Sequence, residues 1–211
     1  MAQLSDIKEF IKTVSEAITN SLDIESLIVD ENLTIVAGTV DRVKAVSEGL
    51  MQRVAETGQH IMVLNPRDDV MCAKCSEREE CTETAGLDCP IILDGKVIGV
   101  MGLICRNYDQ REKFITKRES LLSFVQGMCE LISSKLAEHI MLEKIKTQNI
   151  MLDQILSTIS DGYIILDNES RITNVNMHAL KILGTNEESI KGRTIGEVIP
   201  DLDVKSILHS N

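Results

Sequence analysis

Asp94-Gly95 is the tightest constraint on how this chain folds. It sits between the apolar runs Ile91-Ile92-Leu93 and Val97–Ile104. Two residues that tolerate positive φ, placed between such runs, specify a two-residue hairpin and therefore antiparallel strands. Gly99 and Gly102 in the second arm mark a bulge or a close approach of another backbone. A second hairpin is expected upstream, where Leu27–Val29 and Leu33–Ala37 flank Asp30-Glu31-Asn32. His60–Leu64 reads as a short strand closed by Asn65-Pro66. Leu4, Ile7, Ile11, Val14 and Ile18 recur at helical spacing, as do Val43, Val46, Leu50 and Val54 ahead of a capping Gly58. The sum is an α+β domain, an antiparallel sheet with helices gathered on one side.

Between the third strand and the Asp-Gly hairpin lies MCAKCSEREECTETAGLDCP, residues 71–90, with Cys72, Cys75, Cys81 and Cys89 spaced C-x2-C-x5-C-x7-C. Isolated cysteines usually behave as small core hydrophobes, and a cluster in a charged stretch does not fit that role. Thiolates are soft ligands, and the Cys72-x2-Cys75 pair lets two sulfurs converge from one turn. With Cys81 and Cys89 they make a four-thiolate set that suits an iron–sulfur cluster or tetrahedral zinc. Zinc sites usually use two closely spaced pairs, and only one is present here. The cluster is therefore placed first, zinc second, and a metal-free thiol switch third. Glu77, Glu79, Glu80, Glu83 and Asp88 are expected to keep the loop solvated, and Lys74 and Arg78 to offset thiolate charge. Cys105 and Cys129 read as core residues. His60, His139, His178 and His209 form no metal spacing. No serine elbow, carboxylate pair or phosphate loop occurs, so no enzyme is expected.

From Lys117 to about Ser160 the pattern is helical. Leu121, Val125, Met128 and Ile132 form one series, which suits packing on the chain's own domain or against a second copy. Leu142, Ile145, Asn149, Leu152, Leu156 and Ile159 form another, out of register with the first, and read as a parallel dimer seam. Asn149 on that seam is the type of residue that sets register and oligomer state.

Three Phe, two Tyr and no Trp leave few stacking surfaces for single-stranded nucleic acid, and a net charge of −11 repels phosphate backbones. No signal-peptide pattern and no run of about 18 apolar residues is present. The reading is cytoplasmic, with no membrane contact. In a reducing compartment clustered cysteines point to metal or redox chemistry.

The VDENL hairpin, residues 29–33, and DCPIILDGKVIGVMGL, residues 88–103, followed by a long exit helix, resemble a GAF-type sensor domain over residues 1–116. After the 117–160 helix, residues 161–211 resemble the first half of a PAS domain. That likeness rests on Asp161-Gly162, Asp167, Asn174-Val175-Asn176, Ala179, Leu183-Gly184 and Ile190-Lys191-Gly192. The chain stops before the rest of such a domain and is expected to be a fragment. As a whole it is similar to the sensory half of a sigma-54-dependent transcriptional activator, most specifically at Cys72, Cys75, Cys81, Cys89-Pro90-Ile91 and Gly99-Val100-Met101-Gly102. The resemblance implies a homodimeric module that senses redox state or iron–sulfur status at the four cysteines. DNA and sigma-54 RNA polymerase would be contacted through domains absent here. The alternative is a small-molecule effector in the GAF-like pocket of an activator or histidine kinase, with structural zinc in the loop.

Overall fold

The computed structural model describes residues 3–40, 49–73, 75, 78–158 and 161–200. Two units divide between Leu142 and Glu143. The first opens with a 3-10 turn at Leu4–Ile7 and helix α1 (Lys8–Leu22), which buries Ile11, Val14 and Ile18 at the expected spacing. Strands β1 (Glu25–Asp30) and β2 (Ile35–Gly38) form the first hairpin. Its turn is built by Asp30, whose Oδ1 accepts the N–H groups of Asn32 and Thr34 at 2.9 and 2.8 Å, while Leu33 takes φ 62°. Helix α2 (Leu50–Thr57) follows, closed by Gly58 in the left-handed conformation with its N–H on Val54 O. The expected first turns of that helix, residues 43–48, lie outside the described residues. Strand β3 (Ile61–Val63) leads into the cysteine segment.

Strands β4 (Ala85–Leu93) and β5 (Lys96–Cys105) form the Asp94-Gly95 hairpin, with φ 51° and 77° at those residues. The sheet order is β2-β1-β5-β4-β3, all antiparallel. A Cβ on Gly99 would meet the carbonyl oxygen of Val29, so glycine is required where β5 crosses β1. The cysteine segment is shorter than its sequence indicates, because β4 begins at Ala85 and carries Cys89 and Pro90 mid-strand. Proline is tolerated there because the ladder with β3 ends at Asp88.

Both faces of the sheet are covered, so the expectation of helices on one side is corrected. Leu27, Ile28 and Val29 are consecutive and apolar, and alternation sends them to opposite faces. Ile28, Leu87, Cys89, Met101 and Leu103 pack with α1 and the long helix. Leu27, Val29 and Val100 pack with Met51 and Val54 of α2 and with Cys72.

Helix α3 (Tyr108–Thr116), begun by an Asn107–Gln110 capping box, was not expected, because it buries a single side chain, Phe114. Helix α4 (Arg118–Thr158) starts one residue from its expected position. Leu121, Val125, Cys129, Ile132 and Leu136 are buried in the first unit's core, so this stretch packs on its own sheet. Met128 of the expected series is only half-buried, and Cys129 takes the inward position.

The second unit contains β6 (Ile164–Leu166), β7 (Ile172–Val175), and short helices α5 (Met177–Leu183), α6 (Glu187–Ile190) and α7 (Ile195–Val198). Its hairpin repeats the Asp30 device. Asp167 Oδ1 accepts from Glu169 and Arg171 N–H at 2.9 and 2.8 Å, and Ser170 takes φ 59°. Buried Asn176 caps α5 through Ala179 N–H at 2.9 Å, accepts Tyr163 N–H at 3.0 Å and donates to Asp161 O at 3.0 Å. Gly184 ends α5 in the left-handed conformation that glycine adopts without a steric penalty.

Candidate functional site

A cavity of about 150 Å³ lies on the α2 face of the first unit's sheet. One wall is the cysteine segment. Asp69 caps the 3-10 turn Val70–Cys72 by accepting Met71 N–H at 2.8 Å, and Cys75 N–H donates to Cys72 O at 3.0 Å. That turn holds Cys72 and Cys75 together, as the C-x2-C spacing predicts. Cys81 is brought back by arginines: Arg67 donates to its carbonyl at 3.1 and 2.8 Å, and Arg78 Nε donates to Arg67 O at 2.8 Å. Cys72, Cys75 and Cys81 all line the cavity, together with Arg78, Asp88 and Arg106.

Cys89 does not join them. In β4 the residues Ala85, Leu87, Cys89 and Ile91 point into the core shared with α1 and α4, and Gly86 and Asp88 face the cavity. Bringing Cys89 to the cavity would require a one-residue slip that turns all four core residues outward. Its neighbour across the core is Cys129, whose Sγ lies 3.9 Å from Cys89 O. Cys105 and Cys129 are core residues, as their positions in the sequence predict. Among the described residues no three His, Cys, Asp or Glu side chains stand close enough to hold a metal ion.

Asp88 is the residue that pattern reading misplaced. Expected as a solvating surface charge, it faces Gly102 across the β4–β5 ladder and turns into the cavity. The residue is half-buried, but its carboxyl group is deep enough that desolvation pushes its pKa up to about 8, with the charge of Glu83 adding. The signal was available in the sequence: in an alternating strand, Leu87 and Cys89 inward put Asp88 on the other face. Burial also pushes Cys72 up to about 11, helped by Asp69, Cys75 and Cys81, and raises Cys81. These two thiols therefore stay protonated at neutral pH and are not activated nucleophiles. Cys89 is pushed up to about 12 by the same cause.

On the C-terminal part of α4, Leu142, Ile145, Asn149 and Leu152 are exposed and Leu156 is half-buried. Ile159 lies outside the described residues. Among the described residues no helix is long and apolar enough to cross a membrane.

Residues 151–207 match the family model described as a PAS domain. Over 200 residues the chain is 30% identical to an Escherichia coli (strain K12) protein that carries the provisional name uric acid sigma-54-dependent transcriptional regulator UacR. The match covers 91% of this chain and 33% of that protein, so the chain spans about a third of the relative's length. Among solved structures, the E. coli DhaR(N)–DhaL complex is similar with a TM-score of 0.57 at 15% identity, over 92% of this chain and 66% of that one. That likeness is one of fold. The GAF domain of A. aeolicus nlh2 aligns over 60% of this chain and 82% of its own, with 20% identity and a TM-score of 0.45.

Proposed function

We infer that this chain, a GAF-like and PAS pair homologous to a sigma-54-dependent transcriptional regulator, is the signal-sensing module of such a regulator and reads its signal in the cavity beneath the cysteine segment. One observation carries the location: three thiols, the carboxyl groups of Glu83 and Asp88, and two guanidinium groups converge on a single cavity against the sheet. The module is cytoplasmic. It reaches DNA and sigma-54 RNA polymerase through other domains of its parent and pairs with a second copy along Leu142, Ile145, Asn149, Leu152, Leu156 and Ile159.

A small molecule is the occupant the cavity suits best. A void of about 150 Å³ is on the scale of one small aromatic molecule. Protonated Asp88 both donates and accepts, and Arg78 and Arg106 offer planar donor forks. A small planar ring bearing N–H and C=O groups meets that set, and the relative's name points to uric acid. Urate added to metal-free protein should raise Tm in a dose-dependent way, and Asp88→Ala should abolish the rise. No shift at millimolar urate rejects urate as the signal.

The three thiols of the cavity wall favour a second reading, in which Cys72, Cys75 and Cys81 hold zinc or an iron–sulfur cluster. Their soft donors suit either group, although among the described residues no three side chains close on an ion. When bound, such a group would supply redox or metal responsiveness, and the thiols would have to lose their protons. Protein purified without oxygen should then contain iron with acid-labile sulfide, or stoichiometric zinc. Serine at residue 72, 75 or 81 should remove the metal, and Cys89→Ser should keep it. Metal-free protein from the anaerobic preparation ends this reading.

A further inference from the structure

The cysteine segment is held at both ends by the short stretch of chain that leads into α4. At its far end Thr84 N–H donates to Cys105 O at 2.8 Å, and Thr84 Oγ1 donates to Asn107 O at 3.0 Å. Arg106 reaches back from the end of β5, with Nη1 on Thr82 Oγ1 at 3.0 Å and Nε on Glu25 at 2.8 Å, while its side chain lines the cavity. The backbone N–H of the same residue donates to Gln110 Oε1 at 2.7 Å, inside the capping box that starts α3. At the near end, Arg111 of α3 donates to Leu64 O and Asn65 Oδ1, both at 2.8 Å.

We propose that Arg106 and Arg111 are positioning residues that couple the cavity to the exit helix, by clamping both ends of the cysteine segment onto α3. The inference rests on the cavity reading above but not on which occupant fills it. Arg106 touches the cavity and helps start α3, so displacing its side chain also disturbs the first turn of α3. Arg111 prevents the near end of the segment from moving independently. Only Lys117 separates α3 from α4, so α3 passes a shift on directly. Sheet pairing alone would transmit less, because β5 is gripped between β1 and β4 along its length.

The test uses the full chain and iodoacetamide as a covalent occupant. A cysteine sulfur displaces iodide, forming a C–S bond, and its proton passes to the buffer. Cys75 and Cys81, the half-buried thiols at the cavity, are the targets, and mass spectrometry counts the adducts. Hydrogen exchange is then read at residues 64–84 and 106–117. In the native chain, adducts should change exchange at both stretches, by about five-fold at α3, the equivalent of about 1 kcal/mol. In Arg106→Gln/Arg111→Gln the adducts should change the cysteine segment only. Thr84→Val, which removes the hydroxyl bonds but keeps both arginines, provides a milder variant with a partial loss of coupling. Unchanged α3 exchange in the modified native chain overturns the inference, as does full transmission in the double variant. Labelling is run at pH 9, because burial keeps Cys81 protonated at neutral pH, and exchange is read after return to pH 7. A folded chain whose Cys75 and Cys81 both resist alkylation at pH 9 overturns the open cavity and the coupling built on it.

Discussion

Replacing Asp88 with asparagine isolates the energetics of the cavity. The carboxyl pKa rises from 3.8 to about 8, mainly through desolvation. The folded state therefore binds this proton more tightly than the unfolded chain does. Stability from this group is complete below the unfolded value, falls as pH rises from about 4 to 8, and is flat above that. At about 1.4 kcal/mol per tenfold change the ceiling is about 6 kcal/mol. Relaxation and water entry around a buried charge reduce such penalties, so we expect a loss of about 2–4 kcal/mol between pH 5 and pH 9. Asparagine resembles the protonated acid in shape and cannot ionise. The Asp88→Asn chain should match the native chain near pH 5 and exceed it by that margin at pH 9. Urea unfolding in EDTA at five pH values, with m checked for constancy, gives the two profiles. Parallel profiles would refute the reasoning, because they require an Asp88 that ionises as it does in water.

Gly99→Ala should cost about 3 kcal/mol in urea unfolding, because its methyl group meets the Val29 carbonyl. Gly127→Ala, in open space on α4, should instead stabilise by about 1 kcal/mol. Asn176→Ala removes a helix cap and two further bonds, and should destabilise the second unit by about 2 kcal/mol, read as faster exchange across α5. Ser170→Gly relieves a left-handed φ of 59° and should stabilise that unit by about 1 kcal/mol by the same readout. Asn149→Leu should tighten self-association in sedimentation experiments, and an unchanged dissociation constant would remove Asn149 from any dimer seam.

Local chemistry made much of the fold readable. Asp94-Gly95, the Asp30 turn and the cap at Gly58 act within four residues, so sequence alone locates them. Strand β4 was harder to place. Its inward positions include an alanine and a cysteine, its outward ones an aspartate and a proline, and only pairing with β5 makes that a strand. The error carried over to the site. Four cysteines close in sequence read as one set, and the two-residue period of the strand separates the fourth from the rest. Helix α3 escaped notice because Phe114 alone gives it an apolar face. The coupling arginines were invisible for a different reason: their partners lie up to 81 residues away in sequence.

Strand β4 is a partition one backbone thick. Asp88 belongs to the cavity, and the next residue, Cys89, belongs to the core that seats α4. Most residues of the two sides belong to different clusters, with Leu103 common to the cavity lining and the core, so substitutions away from Leu103 should combine more nearly independently than substitutions within one side. If the cavity reads the signal, such a wall would let a lineage exchange one signal for another by altering the cavity side, while the seat of α4 is inherited intact. A laboratory selection for new effectors would accordingly do best with Leu27, Leu50, Thr82, Gly86, Asp88 and Ile104 as its library.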